Sequence, residues 1–372
     1  MAEKCVTVVE IGSSKLSCMI AEQGINNTFN IKAKASVDYA GFFEGDFIER
    51  AYLDDAVMTL FSQITSIYKK KIKKVYVGVP AEFSKVVTES CQLNFKNRHT
   101  ISQKDIDTIF AKVSEQKYIE DMDIISVNPI TYTLDETKNI QNPLKQKCYF
   151  ISAELSLVLA QSSFIKLFNK IWSKLGIEQV EYISEPLAEG MFVLEEEERE
   201  RTCIVIDVGA KSTSVAFIKN NAMTNLTSFS MGGSYITSDL SEACGIGYQE
   251  ARNLKKQIVL SLKGDKEDTY ELSTLGGKIL KLPLNFVNEA VCYRIGLIAS
   301  TINECIRVFA KEYVPFYPIY LCGAGLTKIK GGKDYLAKCL NRNVAYGVPP
   351  IPGMDKPELA AILGLVNRAI VG

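Results

Sequence analysis

The chain has 372 residues, too many for one compact core, so two or more structural units are expected. Apolar residues make up 47% and charged residues 23%, which excludes extended disorder; 43 Lys plus Arg balance 43 Asp plus Glu, so net charge gives no footprint for nucleic acid. The ten cysteines form no CxxC pair and mostly lie in apolar surroundings, as reduced thiols do in a cytoplasmic protein, and the single histidine, His99, is poor material for a zinc site or a Ser-His-Asp triad.

The chain opens on "CVTVVEIG", a strand pattern rather than a signal peptide, and no apolar run approaches the about 20 residues that span a bilayer. Val6 to Ile11, the turn Gly12-Ser13-Ser14-Lys15 and Leu16 to Glu22 read as strand, turn and strand. An amphipathic helix follows from Leu53 to Tyr68. The lysine-rich "KKKIKKVYVGVP" (69–80) reads as a solvated helix end before a strand, with a phosphate or lipid contact as the alternative. Ser102 and Asp105 form a capping box ahead of a helix that buries Ile106, Ile109, Phe110 and Val113. Ser162 to Leu175 is a further helix, with Phe164, Leu167, Phe168, Ile171, Trp172 and Leu175 on one core-facing side. "SEPLAEG" (184–190) starts another helix, and "EEEERERT" (195–202) reads as an exposed linker. Cys203 to Val208, the turn Gly209-Ala210-Lys211-Ser212 and Thr213 to Lys219 then repeat the first hairpin, which implies two related domains facing each other. "GDKED" (264–268) and "KGGKD" (330–334) carry turn chemistry, and "YLCGAGLTKI" (320–329) places a third glycine turn after an apolar strand.

A turn whose successive backbone N–H groups point inward is a concave anion site, and small residues let a phosphate approach the backbone. A carboxylate at the end of the preceding strand can hold Mg²⁺ directly or through water. Glu10 and Asp207 occupy those strand ends, and the third glycine turn is placed to pass beneath a nucleotide base. One such hairpin alone is a weak signal. Three glycine turns in order, with a helix before the second, form a specific set.

This set resembles the actin-like ATPase superfamily and, within it, the FtsA family of bacterial cell-division proteins, over nearly the whole chain. "EIGSSKL" is similar to the first phosphate loop, "IDVGAKSTSVAF" to the second, "EPLA" to the connecting helix, "LCGAGLTKIKG" to the adenosine loop and "DKPELAAILGLVNRA" to the closing helix. "MGGSYITSDLSEACGIGYQEARNLK" (231–255) resembles the stretch after the second phosphate loop, with Gly232, Gly233, Thr237 and Asp239 retained. "VGVPAEF" and "ISQKDIDTIF" resemble the start of the family's inserted small domain. The implied fold is α/β: an actin-like two-lobed fold with duplicated ribonuclease-H-like domains and an FtsA-type inserted domain. It divides the chain into the first lobe (1–83), the insertion (84–160), helices completing the first lobe (161–198), the second lobe (199–239), its helical subdomain (240–300) and a completing segment (301–372).

The resemblance implies ATP and Mg²⁺ as cofactors. It implies nucleotide contacts from Gly12, Ser13, Ser14, Lys15, Gly209, Ala210, Lys211, Ser212, Gly232, Gly233, Lys255, Gly323, Ala324 and Gly325, metal contacts from Glu10 and Asp207, and catalytic roles for Glu10, Asp207 and Glu185. Glu185 stands where such proteins orient attacking water, although Glu-Pro also suits a helix start. Four residues depart from the family pattern. Glu10 replaces an Asp and Ser214 replaces the second-loop Asp. Lys211 replaces a glycine, so its Cβ crowds the turn, or its ammonium pairs with a phosphate or substitutes for metal charge. Arg252 stands where a ribose-binding Glu is common, while Lys255 is retained. Phosphoryl transfer depends on positioning, so these changes point to retained ATP binding with slow or absent hydrolysis.

The family's activity implies filaments, a link to the C-terminal tail of the FtsZ ring protein, recruitment of other divisome proteins, and a peripheral place on the inner face of the membrane at the division site. Arg294, in the helical subdomain, is the candidate to meet the acidic tail, with a plain surface charge as the alternative. Membrane contact is expected through a C-terminal amphipathic helix absent from this chain or through a partner. Two other readings stay open: a PilM-like adaptor of a type IV pilus machine or nucleotide-degenerate scaffold, and a small-molecule kinase of the same fold, for which no sugar-site signature is evident.

Overall fold

A computed structural model describes residues 5–24, 28–116, 118–261, 264–265, 267–274, 277–309 and 317–372. Two five-stranded sheets have the same design. In the first, strands run in the order Gln179–Ser184, Lys74–Val79, Cys5–Ile11, Lys15–Gln23 and Phe29–Asp38; in the second, Val344–Tyr346, Ile319–Cys322, Cys203–Val208, Thr213–Lys219 and Ala222–Phe229. In each, three strands form an antiparallel meander and two more join parallel to its first strand. The repeat expected from the two hairpins therefore extends to whole sheets. The central strands are apolar on nearly every residue, as strands covered on both faces must be.

One face of the first sheet packs on the helices Arg50–Tyr68 and Ser162–Lys174. Phe164, Phe168 and Trp172 are fully buried there, and Ile171 nearly so, because spacings of three and four residues put them on one stripe. The second sheet is covered by Gly233–Cys244, Tyr248–Lys255, Leu284–Phe309 and Gly332–Leu340. The opposite faces of both sheets share two central helices, the connecting helix Glu185–Val193 and the closing helix Ala360–Val371.

Between the strands Lys74–Val79 and Gln179–Ser184 the chain builds a separate antiparallel sheet, ordered Ser84–Thr100, Lys147–Gln161, Met122–Leu134 and Thr137–Ile140, with the helix Gln103–Ser114. The capping box expected at its start is present: Asp105 accepts from the Ser102 backbone N–H at 2.8 Å and from its hydroxyl at 2.6 Å, while His99 Nε2 lies 2.9 Å away.

Three local readings are refined. Three of the five lysines in the run make surface ion pairs while staying solvated: Lys71 and Lys73 meet Glu178 and Lys74 meets Glu181. "EEEERERT" is not a plain linker, since Glu196–Arg199 forms a helical turn, Tyr320 bonds Glu198, and Arg199 donates to Asn221 at 2.7 Å. Within "KGGKD" the bend is Gly331 at φ +80°, and Gly332 already begins a helix. Lys266 of "GDKED" lies outside the described residues. Among the described residues no helix is long and apolar enough to cross a membrane.

Candidate functional site

The two hairpin turns have one construction. Gly12 N–H donates to Lys15 O at 3.1 Å and Gly209 N–H donates to Ser212 O at 2.9 Å. A Cβ on Gly12 would lie 2.8 Å from Lys15 O, which explains the glycine that opens the first turn. Cross-strand register sets Glu10 opposite Ser17 and Asp207 opposite Ser214, so each strand-end carboxylate faces a serine across its own hairpin. Lys211 does not adopt a left-handed backbone, so backbone conformation does not demand a glycine at this position.

The turns face each other across the lobes. Lys211 N–H donates to Ser13 Oγ at 3.0 Å, and Lys211 Nζ donates to the carbonyl of Phe42 at 2.6 Å. Gly233 N–H bonds Gly209 O at 2.9 Å and Ser234 N–H bonds Ala210 O at 2.7 Å, which seats the start of the Gly233–Cys244 helix on the second turn. A Cβ on Gly232 would lie 2.7 Å from the carbonyl oxygens of both Gly209 and Ala210, and one on Gly325 would strike the Val208–Gly209 backbone. The paired glycines and the third glycine turn are thus a layer of touching backbones. Ala324 opens the short helix Ala324–Thr327 beside it. Lys255 Nζ donates to Gly233 O at 2.6 Å; burial, with Arg252 and Lys328 nearby, pushes its ammonium down to about 8.

Carboxylates crowd the floor of the cleft. Burial raises Glu10, against the attraction of Lys15 and a hydrogen bond from Ser17. Burial also raises Glu185 strongly, reinforced by Glu10, Asp207 and Glu82, and one Glu185 oxygen has no hydrogen-bond partner. That oxygen packs on Gly78, where a Cβ would come within 3.0 Å of it. Asp207 is pushed up to about 7 by burial, opposed by Glu189 as a hydrogen-bond donor and raised further by Glu10 and Glu82.

Glu189 and Glu82 were not anticipated. Glu189 is 2% exposed and is raised by burial and then by Asp207 and Glu185. The signal for it lay in "SEPLAEG", where Glu185 and Glu189 are one helical turn apart and share a face.

Among the described residues no three His, Cys, Asp or Glu side chains form a cage for a metal ion. Mg²⁺ needs none, since it retains water and binds through one or two carboxylates plus phosphate oxygens. A buried carboxylate oxygen without a partner and a repelling group of acids fit such a cation.

The expectation for Arg294 meets an internal partner. Its guanidinium donates to both oxygens of Asp239, at 2.6 and 2.7 Å, and lies over the Tyr235 ring. The fork is therefore occupied by a carboxylate of this chain.

Comparison with known proteins matches residues 204–364 to the family "Cell division protein FtsA" and residues 84–159 to the "SHS2 domain inserted in FTSA". The cell division protein FtsA of Staphylococcus epidermidis is 20% identical, with 100% of this chain and 80% of that protein covered. FtsA of Streptococcus pneumoniae is 25% identical (98% and 79% covered), and that of Escherichia coli 21% (98% and 90%). Among solved structures, the PilM-PilN type IV pilus biogenesis complex aligns at a TM-score of 0.65 with 17% identity, covering 98% of each chain. MreB 5 of Spiroplasma citri bound to AMPPNP aligns at 0.57 with 12% identity, covering 97% of this chain and 94% of that one. These likenesses show the fold. The chain has the actin-like two-lobed architecture with an inserted SHS2 domain and belongs to the FtsA family of bacterial cell-division proteins.

Proposed function

We propose that this chain is an ATP-binding adaptor of bacterial division that assembles into filaments and links the FtsZ ring to the membrane and to later division proteins. The observation that carries the nucleotide reading is the pair of like-built turns, Gly12–Lys15 and Gly209–Ser212, opposed above buried Glu10 and Asp207. Their amides would hold phosphates. Gly232, Gly233, Lys255 and the Gly323–Gly325 turn would border the nucleoside.

Glu10 and Asp207 would hold Mg²⁺ through water and phosphate oxygens, and the ion would supply charge neutralisation at the phosphates. Glu185 would accept a hydrogen bond from water on the floor of the cleft. Its raised affinity for protons and the serine opposite Asp207 favour slow turnover. The solved MreB 5 complex with AMPPNP supports nucleotide as the ligand class for the fold. The family match supports division partners, and with them the chain would take a peripheral position at the inner face of the membrane.

Calorimetric titration of the chain with ATP and Mg²⁺, beside Asp207→Asn, tests the cleft. Micromolar binding that weakens in the variant is expected; no binding up to millimolar ATP overturns it. Sedimentation with a peptide of the FtsZ tail, with and without ATP, tests the adaptor role, and absence of both filaments and peptide binding would sink it.

A further inference from the structure

We infer that Lys211 is a strap that holds the two lobes together across the cleft. It ties the second hairpin turn to the first lobe at two points.

Both of its hydrogen bonds cross between lobes: the backbone N–H goes to Ser13 Oγ at 3.0 Å, and the ammonium goes to Phe42 O at 2.6 Å. The anchor is rigid. Phe42 is 4% exposed and sets its ring edge-on to Phe47 at 5.4 Å and Phe83 at 6.3 Å, while Phe47 stacks on Phe83 at 5.1 Å. The carbonyl that receives the ammonium is therefore fixed to the core of the first lobe, and pulling it away disturbs packed aromatics rather than a free loop. A charge-assisted bond in a partly desolvated place is stronger than a neutral one, which suits a strap. Among the described residues Lys211 makes no ion pair with the carboxylates below it, so its charge serves the cross-lobe bond.

A second cation works along the same seam. Arg252 lies 3.9 Å from Asp38 at the end of the strand Phe29–Asp38, again across lobes. Both of those side chains are more than half exposed, so that pair guides closure weakly. Lys211 and Arg252 are two of the positions where this sequence departs from its family, and the structure turns both of them across the seam.

The strap has a consequence for phosphate, which rests on the nucleotide reading above. A phosphate oxygen is a better partner for an ammonium than a neutral carbonyl is, so nucleotide entering between the turns draws Lys211 off Phe42. Phe42 pairs with Phe47 in a small hairpin whose neighbours Phe43 and Ile48 are 53% and 62% exposed. Release of the strap loosens that apolar surface.

Hydrogen exchange read by mass spectrometry on the whole, nucleotide-free chain tests the strap. Lys211→Met should speed exchange of the amides at 42–48 and 12–15 by about 10-fold, with the helix Arg50–Tyr68 unchanged, and Lys211→Arg should restore most of the protection. Exchange in Lys211→Met equal to that of the parent overturns the strap. Should Lys211→Met slow or lose folding, seen as faster exchange in Arg50–Tyr68 as well, Lys211→Gln takes its place with the same two outcomes. Adding ATP and Mg²⁺ to the parent should speed exchange at 42–48. ATP that binds by calorimetry without that change overturns the release step, whereas ATP that does not bind overturns the nucleotide reading and leaves the nucleotide-free result to decide the strap.

Discussion

Arg294 grips both oxygens of Asp239, at 2.6 and 2.7 Å, and so clamps the helix Leu284–Phe309 to the helix Gly233–Cys244. The second of these helices starts on the Gly209–Ala210 turn, so the clamp steadies the cleft from behind. Both side chains are less than a quarter exposed. Truncating one partner strands the other in a place where water replaces it poorly. Arg294→Ala should cost about 1–3 kcal/mol, and Arg294→Lys should recover only part of it, because an ammonium cannot make the two-pronged bond. Urea midpoints at unchanged slope would check this. Equal stability of the parent and Arg294→Ala would show that the pair contributes nothing.

The buried acids predict an unusual pH dependence. Asp207 rises from an ordinary value of 3.8 to about 7 in the folded chain, with burial as the first cause. The folded state therefore keeps a proton that the unfolded chain has already lost, and stability falls as pH rises from about 4 to about 7. Glu10, Glu185 and Glu189 are raised as well and act in the same direction. Asp207→Asn removes one such group, so in buffer without nucleotide or divalent cation it should stabilise the chain at pH 7.5 by about 1–3 kcal/mol and flatten the fall. Thermal unfolding from pH 5 to 8 reads the effect, and a parent that gains stability across that interval would contradict it.

Much of this cleft was legible because its parts are local. A strand, a glycine-first turn and a returning strand occupy Cys5–Gln23, and the capping box at Ser102 and Asp105 occupies four residues. The hairpin repeats about 200 residues later, at Cys203–Lys219, and the sheets that contain the two copies repeat too. What sequence could not give depended on chain segments meeting from far apart. Lys211 looked like a misfit in a glycine position until Phe42, 169 residues away, supplied a carbonyl for it. Arg294 looked free until Asp239, 55 residues away, occupied its fork. Nothing in the sequence marks Glu189 as buried, and the packing of the closing helix and both sheets around its helix is what buries it.

The closing helix packs along the connecting helix, and at Gly364 backbone meets backbone. A Cβ at Gly364 would lie 2.6 Å from Ala188 O and 2.9 Å from Glu189 N, closer than any side chain carbon can come to backbone. Gly364→Ala should therefore separate the two helices and cost about 1–3 kcal/mol in spite of alanine's better helix propensity. Because Glu185 and Glu189 ride on the same connecting helix, the variant should also weaken ATP binding at the cleft. A calorimetric titration together with a melting curve would show both losses, and unchanged melting would mean that the helices can part freely.

The inserted domain offers a separate titration. Burial raises Asp105, but hydrogen bonds from Ser102 and His99 outweigh it and leave the carboxyl below its ordinary value. A depressed carboxylate stabilises the fold above its unfolded titration point, and that contribution is lost as pH falls through the folded one. Asp105→Asn removes the charge that His99 and the first turn of the helix Gln103–Ser114 face, and Asp105→Ala removes the capping box altogether. Asp105→Ala should cost about 0.5–2 kcal/mol at pH 7 and less at a pH below the folded titration point, where the parent has given up the same interaction. Hydrogen exchange over residues 103–114 localises the loss, since the actin-like sheets do not depend on this cap. An equal deficit at both pH values would show that the carboxyl acts by shape rather than charge.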